Sequence, residues 1–195
     1  MNGLMEPLDD AIAYVLLAAG RSTRFGGDKL LAEIDGRRLI DIALHTAEAA
    51  GFARRVLVIG PDLAGFKSEG WTIVVNEQPQ RGMASSIRIG LPHASSAKRV
   101  VIGLADMPFI GADHLRRLAS SEGVVFTTQK DGTRGAPAAF PETSYDRLMM
   151  LEGDRGAASI NWDRADTIEP FESGALVDID TKQDLEAAET GVFGV

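Results

Sequence analysis

"AYVLLAAGRSTRFGGDKLL", residues 13–31, is apolar up to Ala19 and then carries Arg21, Arg24 and Lys29 among three glycines, with Asp28 as its only carboxylate. A short apolar run closed by glycine reads as a buried strand, Ala13–Ala18, that turns at Gly20 into a cationic loop. In open α/β sheets, ligands bind beyond the carboxyl ends of the strands, where this loop would lie. Further strands are expected near Arg55–Ile59, Thr72–Val75, Val100–Leu104 and Gly123–Thr127, alternating with helices at Leu39–Ala50, Ala84–Pro92, Ala112–Ser120, Thr143–Leu151 and Lys182–Glu189. Such alternation predicts an α/β domain on a largely parallel sheet. The last helix has the clearest start, with Thr181 as N-cap and Asp184 completing a capping box. From about Thr128 to Ala175 the pattern loosens into Gly, Pro and polar residues, which reads as sheet edge plus ligand-covering loops.

Across 195 residues, 45% hydrophobic and 25% charged side chains suit one soluble domain spanning 1–195, with residues 1–10 an extension of no assigned role. Glu6, Asp9 and Asp10 stand where an export signal would be positive, so a cytoplasmic location is expected. No apolar run approaches the roughly 20 residues of a membrane span. There are no cysteines, which excludes disulfides, thiolate metal sites and cysteine nucleophiles. A net charge of −8 argues against nucleic acid or anionic membrane as partners. The three histidines, His45, His93 and His114, lack metal-ligand spacing and read as surface or helix-packing residues.

An acidic chain that binds an anion needs a local cluster of cations or a metal ion. Gly20, Gly26 and Gly27 would permit left-handed backbone and leave N–H groups to wrap an anion, with Arg21, Arg24 and Lys29 as charge-assisted donors to a polyphosphate. A surface turn with solvated cations is the alternative. The loop is neither a Walker P-loop, since Lys29 is followed by Leu30, nor a dinucleotide-binding GxGxxG. In "VVIGLADMPFI", Asp106 closes a strand two residues before Pro108, placed either to face that loop and hold Mg²⁺ or simply to form a turn. In "LVDIDTKQDL", alternation puts Val177 and Ile179 on one side and Asp178 and Asp180 on the other, a second metal candidate or a solvated strand face.

Together with "NEQPQRGMASSIRIGL" (76–91), "LADMP" (104–108), "GAPAAF" (135–140) and "GDRGA" (153–157), these segments resemble the MobA-like nucleotidyltransferases, and within them the molybdenum cofactor cytidylyltransferases. The resemblance covers nearly the whole chain. It implies a Rossmann-like three-layer nucleotidyltransferase fold with a mostly parallel mixed sheet. It places the base and sugar at Leu17, Ala18, Ala19 and Gly20, and the triphosphate at Arg21, Arg24 and Lys29. Gly82 and Ser86 would lie beside the base, though Ser85 and Ser86 also suit a plain helix start. Asp106 would bind Mg²⁺ (Mn²⁺ being the other option) with Asp180 as its companion and Asp178 a weaker one. Lys29, Arg21 and Asp106 would be the catalytic set, and Gly135, Pro137 and Asp154 would line the acceptor pocket.

The implied reaction is cytidylyl transfer from CTP to the terminal phosphate of a molybdopterin-type cofactor, with a recipient molybdoenzyme or its chaperone as a further partner. Relatives often have His where this chain has Ala136, which bears on the acceptor more than on the nucleotide. Competing expectations are transfer of another nucleotide, a sugar or polyol phosphate acceptor, and a chaperone that binds the cofactor without transfer.

Overall fold

The computed structural model describes residues 6–20, 22, 24–172 and 174–190. In chain order its strands are β1 (Ile12–Ala18), β2 (Glu33–Ile34), β3 (Arg37–Arg38), β4 (Arg54–Ile59), β5 (Thr72–Val75), β6 (Arg99–Leu104), β7 (Val125–Thr128), β8 (Arg134–Pro141) and β9 (Asp166–Ile168). Its α-helices are α1 (Leu39–Ala49), α2 (Met83–Gly90), α3 (Ala112–Ser120), α4 (Tyr145–Met149) and α5 (Lys182–Glu189). Seven strands form one sheet in the order β5-β4-β1-β6-β8-β7-β9, while β2 and β3 pair as a small separate ribbon. Every pairing in the large sheet is parallel except the two that β8 makes.

β1 lies at the centre of the parallel half because its side chains are apolar on both faces. Tyr14, Leu16 and Ala18 pack with α1 and α3, while Ala13, Val15 and Leu17 pack with α2 and α4. Helices therefore cover both faces of the sheet, which matches strands that are apolar on both sides. No helix among the described residues is long and apolar enough to cross a membrane.

The stretch expected as sheet edge and loops contains a strand in the interior of the sheet. β8 lies between β6 and β7, antiparallel to both. Its sequence, RGAPAAFP, conceals this because proline cannot donate to a ladder and rarely occupies a central strand. The register shows how the proline is accommodated: Phe126 faces Ala138 but Thr127 faces Gly135, so Ala136 and Pro137 fall in a bulge. The expected helix at Thr143–Leu151 is shorter, a 3₁₀ turn at Glu142–Ser144 followed by α4. Residues 177–180 join no ladder, yet their alternation persists, with Val177 and Ile179 buried against Phe25, Ile34 and Leu39.

His114 of α3 is fully buried. The Thr127 hydroxyl donates to the Pro137 carbonyl at 2.6 Å, so it must accept from His114 Nε2–H at 2.8 Å. Nδ1 is then unprotonated and has no partner among the described residues. Burial, reinforced by the Arg117 charge, lowers the imidazole from 6.5 to about 4. Above pH 6.5 neither the folded nor the unfolded chain carries this proton, and His114 contributes nothing to pH dependence. As pH falls toward 4 only the unfolded chain takes it up, so stability is lost, by about 3 kcal/mol in total. Denaturant titrations between pH 7 and 4 should show the native protein losing that much more stability than His114→Gln; parallel curves would assign the pH dependence elsewhere.

Candidate active site

The cationic loop leaves β1 at Ala18 and is pinned by Phe25, whose ring is buried with Leu39, Val177 and Ile179. Gly26 adopts a left-handed φ of 75°, and so does Ser22, at 46°; Gly20 and Gly27 do not, which corrects the expectation for those two. The amides of Phe25 and Gly26 donate to Ser22 O at 3.1 and 3.2 Å, and that of Lys29 donates to Gly27 O at 2.9 Å, so part of the expected anion-wrapping backbone is bonded internally. Arg21 lies outside the described residues. Of the other cations, Arg24 reaches solvent, whereas Lys29 is buried at the start of a 3₁₀ turn.

β6 is hydrogen-bonded to β1, and beyond its end Ala105 N–H donates to Leu17 O at 3.0 Å, which carries Asp106 to the mouth of the crevice between the two strands. Asp180 arrives from the far end of the chain. Ile179 N–H donates to Asp106 O at 2.9 Å, while the Thr181–Asp184 capping box of α5 fixes the residue that follows Asp180. The amide of Asp180 also donates to Asp184 Oδ2, at 3.1 Å.

Lys29 Nζ donates to Asp106 Oδ2 at 2.9 Å and to Asp180 Oδ1 at 3.1 Å, and Arg24 donates to Asp180 Oδ2 at 2.8 Å. Burial by itself would lower the Lys29 pKa, but Asp106 and then Asp180 outweigh it and hold the amine above its usual value, firmly as ammonium. Asp178 is exposed at the rim. The protein around it still desolvates the carboxyl, and together with Asp106 and Asp180 pushes it up to about 6.

Among the described residues no three histidines or carboxylates converge on one point as a complete metal cage. Asp106 Oδ1, however, is buried with no hydrogen-bond partner among them. Together with Asp180 it offers hard oxygen donors, and Mg²⁺ or Mn²⁺ needs only one or two carboxylates when phosphate oxygens and water complete its shell. These residues fit such an ion.

On the α2 side, Gly82 adopts φ 84°, and a side chain there would collide with the backbone of Gly153 and the carboxylate of Asp154. Ala84 N–H donates to Gly153 O at 3.1 Å, so the "GDRGA" loop is docked on the start of α2. Asp154 thus lies beside Gly82. Gly135 lines an apolar cavity of about 200 Å³ with Leu17, Met83, Phe126, Gly156 and Ala157. Pro137 does not: it is buried, with its carbonyl turned to Thr127. Ala18 and Ala19 are buried at the end of β1.

Sequence reasoning missed Asn76, which is fully buried at the end of β5. Its Oδ1 accepts from Gln78 N–H at 3.0 Å, and its Nδ2 donates to Ser85 Oγ at 2.8 Å and Ser86 Oγ at 3.0 Å. An asparagine directly after an apolar strand was the available signal.

The MobA-like NTP transferase domain matches residues 14–166, which include the cationic loop and Asp106. The chain belongs to this family. This MobA-like transferase is 28% identical over 190 residues to the purine catabolism protein PucB of Bacillus subtilis, covering 88% of this chain and 93% of that one. It is 33% identical over 110 residues to a probable molybdenum cofactor guanylyltransferase of Deinococcus radiodurans, covering 56% and 52%. The crystal structure of Rv0371c from Mycobacterium tuberculosis superposes with a TM-score of 0.79 at 28% identity, covering 92% of this chain and 97% of that one. A second structure of Rv0371c, a complex with manganese, gives a TM-score of 0.76 at 25% identity over 92% and 98%. The MobA-like transferase is accordingly a nucleotidyltransferase on the three-layer, mostly parallel fold.

Proposed function

We propose that the chain transfers CMP from CTP to the terminal phosphate of a molybdopterin-type acceptor, forming the cytosine dinucleotide and releasing pyrophosphate. Support for the transfer comes from the buried Lys29 ammonium bridging Asp106 and Asp180 at the β1/β6 crevice, 77 and 151 residues away in sequence. Such a cluster suits reacting phosphates better than a carrier, which has no transition-state charge to stabilise.

In this scheme an acceptor phosphate oxygen attacks the α-phosphorus of CTP, and the bond from that phosphorus to the α,β-bridging oxygen breaks as pyrophosphate departs. A terminal phosphate is already ionised near neutral pH, so no general base is needed. Lys29 lies at the α-phosphate, with Arg24 and Arg21 on the β- and γ-phosphates. When bound, a divalent ion held by Asp106 and Asp180 supplies neutralisation of phosphate charge. Gly135 and the Gly153–Ala157 loop, which border the cavity beside Leu17, take the acceptor.

Base choice rests in part on Ala19, with the Gly82–Ser86 turn supplying the remaining contacts to the cytosine edge. Guanylyltransferases resembling this chain carry "LAGG", with glycine at that position, and the extra methyl narrows the space for a purine. CTP should therefore be used in preference to GTP. One methyl group shifts selectivity by about 1–3 kcal/mol, so Ala19→Gly should relax the preference without reversing it. Transfer of GMP is the second reading, favoured by the Deinococcus relative's name. Pyrophosphate release from CTP or GTP with Mg²⁺ and the acceptor, compared as kcat/KM, separates the two. Equal use of GTP overturns the cytidylyl assignment, and no release with any nucleotide overturns transfer itself.

A further inference from the structure

Asn76 lies outside the set of phosphate and metal contacts described above, yet it is hydrogen-bonded to Ser86, the residue that the family resemblance puts beside the nucleotide base. The orientation of its amide is not arbitrary. Gln78 N–H can only donate, so the atom 3.0 Å from it must be the amide oxygen. The nitrogen therefore faces α2, and its two hydrogens go to Ser85 Oγ and Ser86 Oγ. Asn76 N–H itself donates to Ile59 O at 2.8 Å, which anchors the residue to the end of β4.

Both serine hydroxyls are thereby forced to accept, and each has one proton left to place. Ser85 Oγ donates to Gly82 O at 2.7 Å. Ser86 Oγ has no protein acceptor among the described residues and keeps its O–H for a ligand, although Ser86 is itself buried. A hydroxyl with a fixed direction of donation discriminates. A pyrimidine presents a 2-keto oxygen, an acceptor; guanine carries at the same carbon an amino group, a second donor, which would oppose it.

Given the nucleotidyl transfer proposed above, on which this inference rests, we infer that Asn76 is a positioning residue for base selection: it holds Ser86 as a hydrogen-bond donor and so favours a 2-keto pyrimidine over guanine. The test substitution is Asn76→Asp, which keeps the shape and the acceptor for Gln78 N–H but replaces both donors with a carboxylate. Ser86 would then donate to the carboxylate and turn its lone pairs toward the base.

Binding of CTP and of GTP is measured by calorimetry with Mg²⁺ and no acceptor, on the full chain and on Asn76→Asp, Ser86→Ala and the double variant. Asn76→Asp should weaken CTP about tenfold and narrow the CTP-to-GTP preference by at least that factor, the scale of one hydrogen bond gained or lost. In turnover assays the change should appear in KM for CTP, with kcat within about twofold. Because Asn76 acts through Ser86, the double variant should bind CTP no more weakly than Ser86→Ala alone. Additive losses, or an unchanged preference in a folded Asn76→Asp, overturn the inference while leaving transfer standing. If Asn76→Asp does not fold, Ser86→Ala decides: an unaltered CTP-to-GTP ratio overturns it. A native protein that binds none of the common nucleoside triphosphates removes both the inference and the transfer beneath it.

Discussion

Asp106→Ala is expected to fold and to lose about a thousandfold in turnover, the scale on which removal of a charge-stabilising group acts. The fold should survive because the ammonium of Lys29, left buried, retains Asp180 at 3.1 Å, while the peptide links that carry Asp106 are made by backbone groups. A buried cation with no partner at all would cost about 3–5 kcal/mol, but one that keeps a second carboxylate loses a single charged hydrogen bond, about 1.5–3 kcal/mol. The catalytic loss is far larger because two things vanish together: the carboxylate oxygen that has no hydrogen-bond partner and the one that orients Lys29. The measurements are pyrophosphate release at saturating nucleotide and the denaturation midpoint. Turnover within tenfold of native in a folded variant would sink the metal role given to Asp106.

Lys29→Ala should lower turnover by about a hundredfold or more and nucleotide affinity by less than about tenfold, since its ammonium is placed where charge builds on the α-phosphate during the reaction. Arg24→Ala should do the opposite. Its side chain is 77% exposed and its pairing with Asp180 is a surface interaction, so what it loses is a ground-state phosphate contact. Lys29→Ala has a second, independent signature. Without the ammonium, Asp106 and Asp180 keep their charges but lose the cation they share, so the nucleotide-free protein should bind Mn²⁺ more tightly than native, as read by electron paramagnetic resonance. Slower turnover with tighter metal binding is the pattern expected. Weaker metal binding, or a loss confined to KM, would exchange the roles assigned to the two cations.

Most of the parallel half of the fold is legible in the chain, because its signals are local. β1, β4 and β6 contain apolar runs whose burial on both faces follows from composition alone, β5 is a half-buried apolar edge strand, and α5 announces itself through a cap made by residues three apart. The loop chemistry is equally local: cations and glycines directly after a strand point to an anion. β8 was hidden because its proline and small residues oppose strand propensity, and only the bulge against β7 accommodates them. Asn76 was hidden because a buried amide is recognised by its three partners, two of which lie on another element.

By itself, then, the sequence determined an α/β sheet, a cationic loop at the end of its first strand, and carboxylates at Asp106, Asp178 and Asp180 as candidates to answer it. The tertiary structure alone decided which of them do. Asp180 meets Lys29 across 151 residues because Ile179 is hydrogen-bonded to Asp106 O, while Asp178 remains at the rim. It also turned Pro137 away from the cavity that Gly135 lines. Periodicity records which face of an element is buried, a property of neighbouring residues. Which elements become neighbours depends on strand order and on single backbone hydrogen bonds, which leave no repeating trace in the chain.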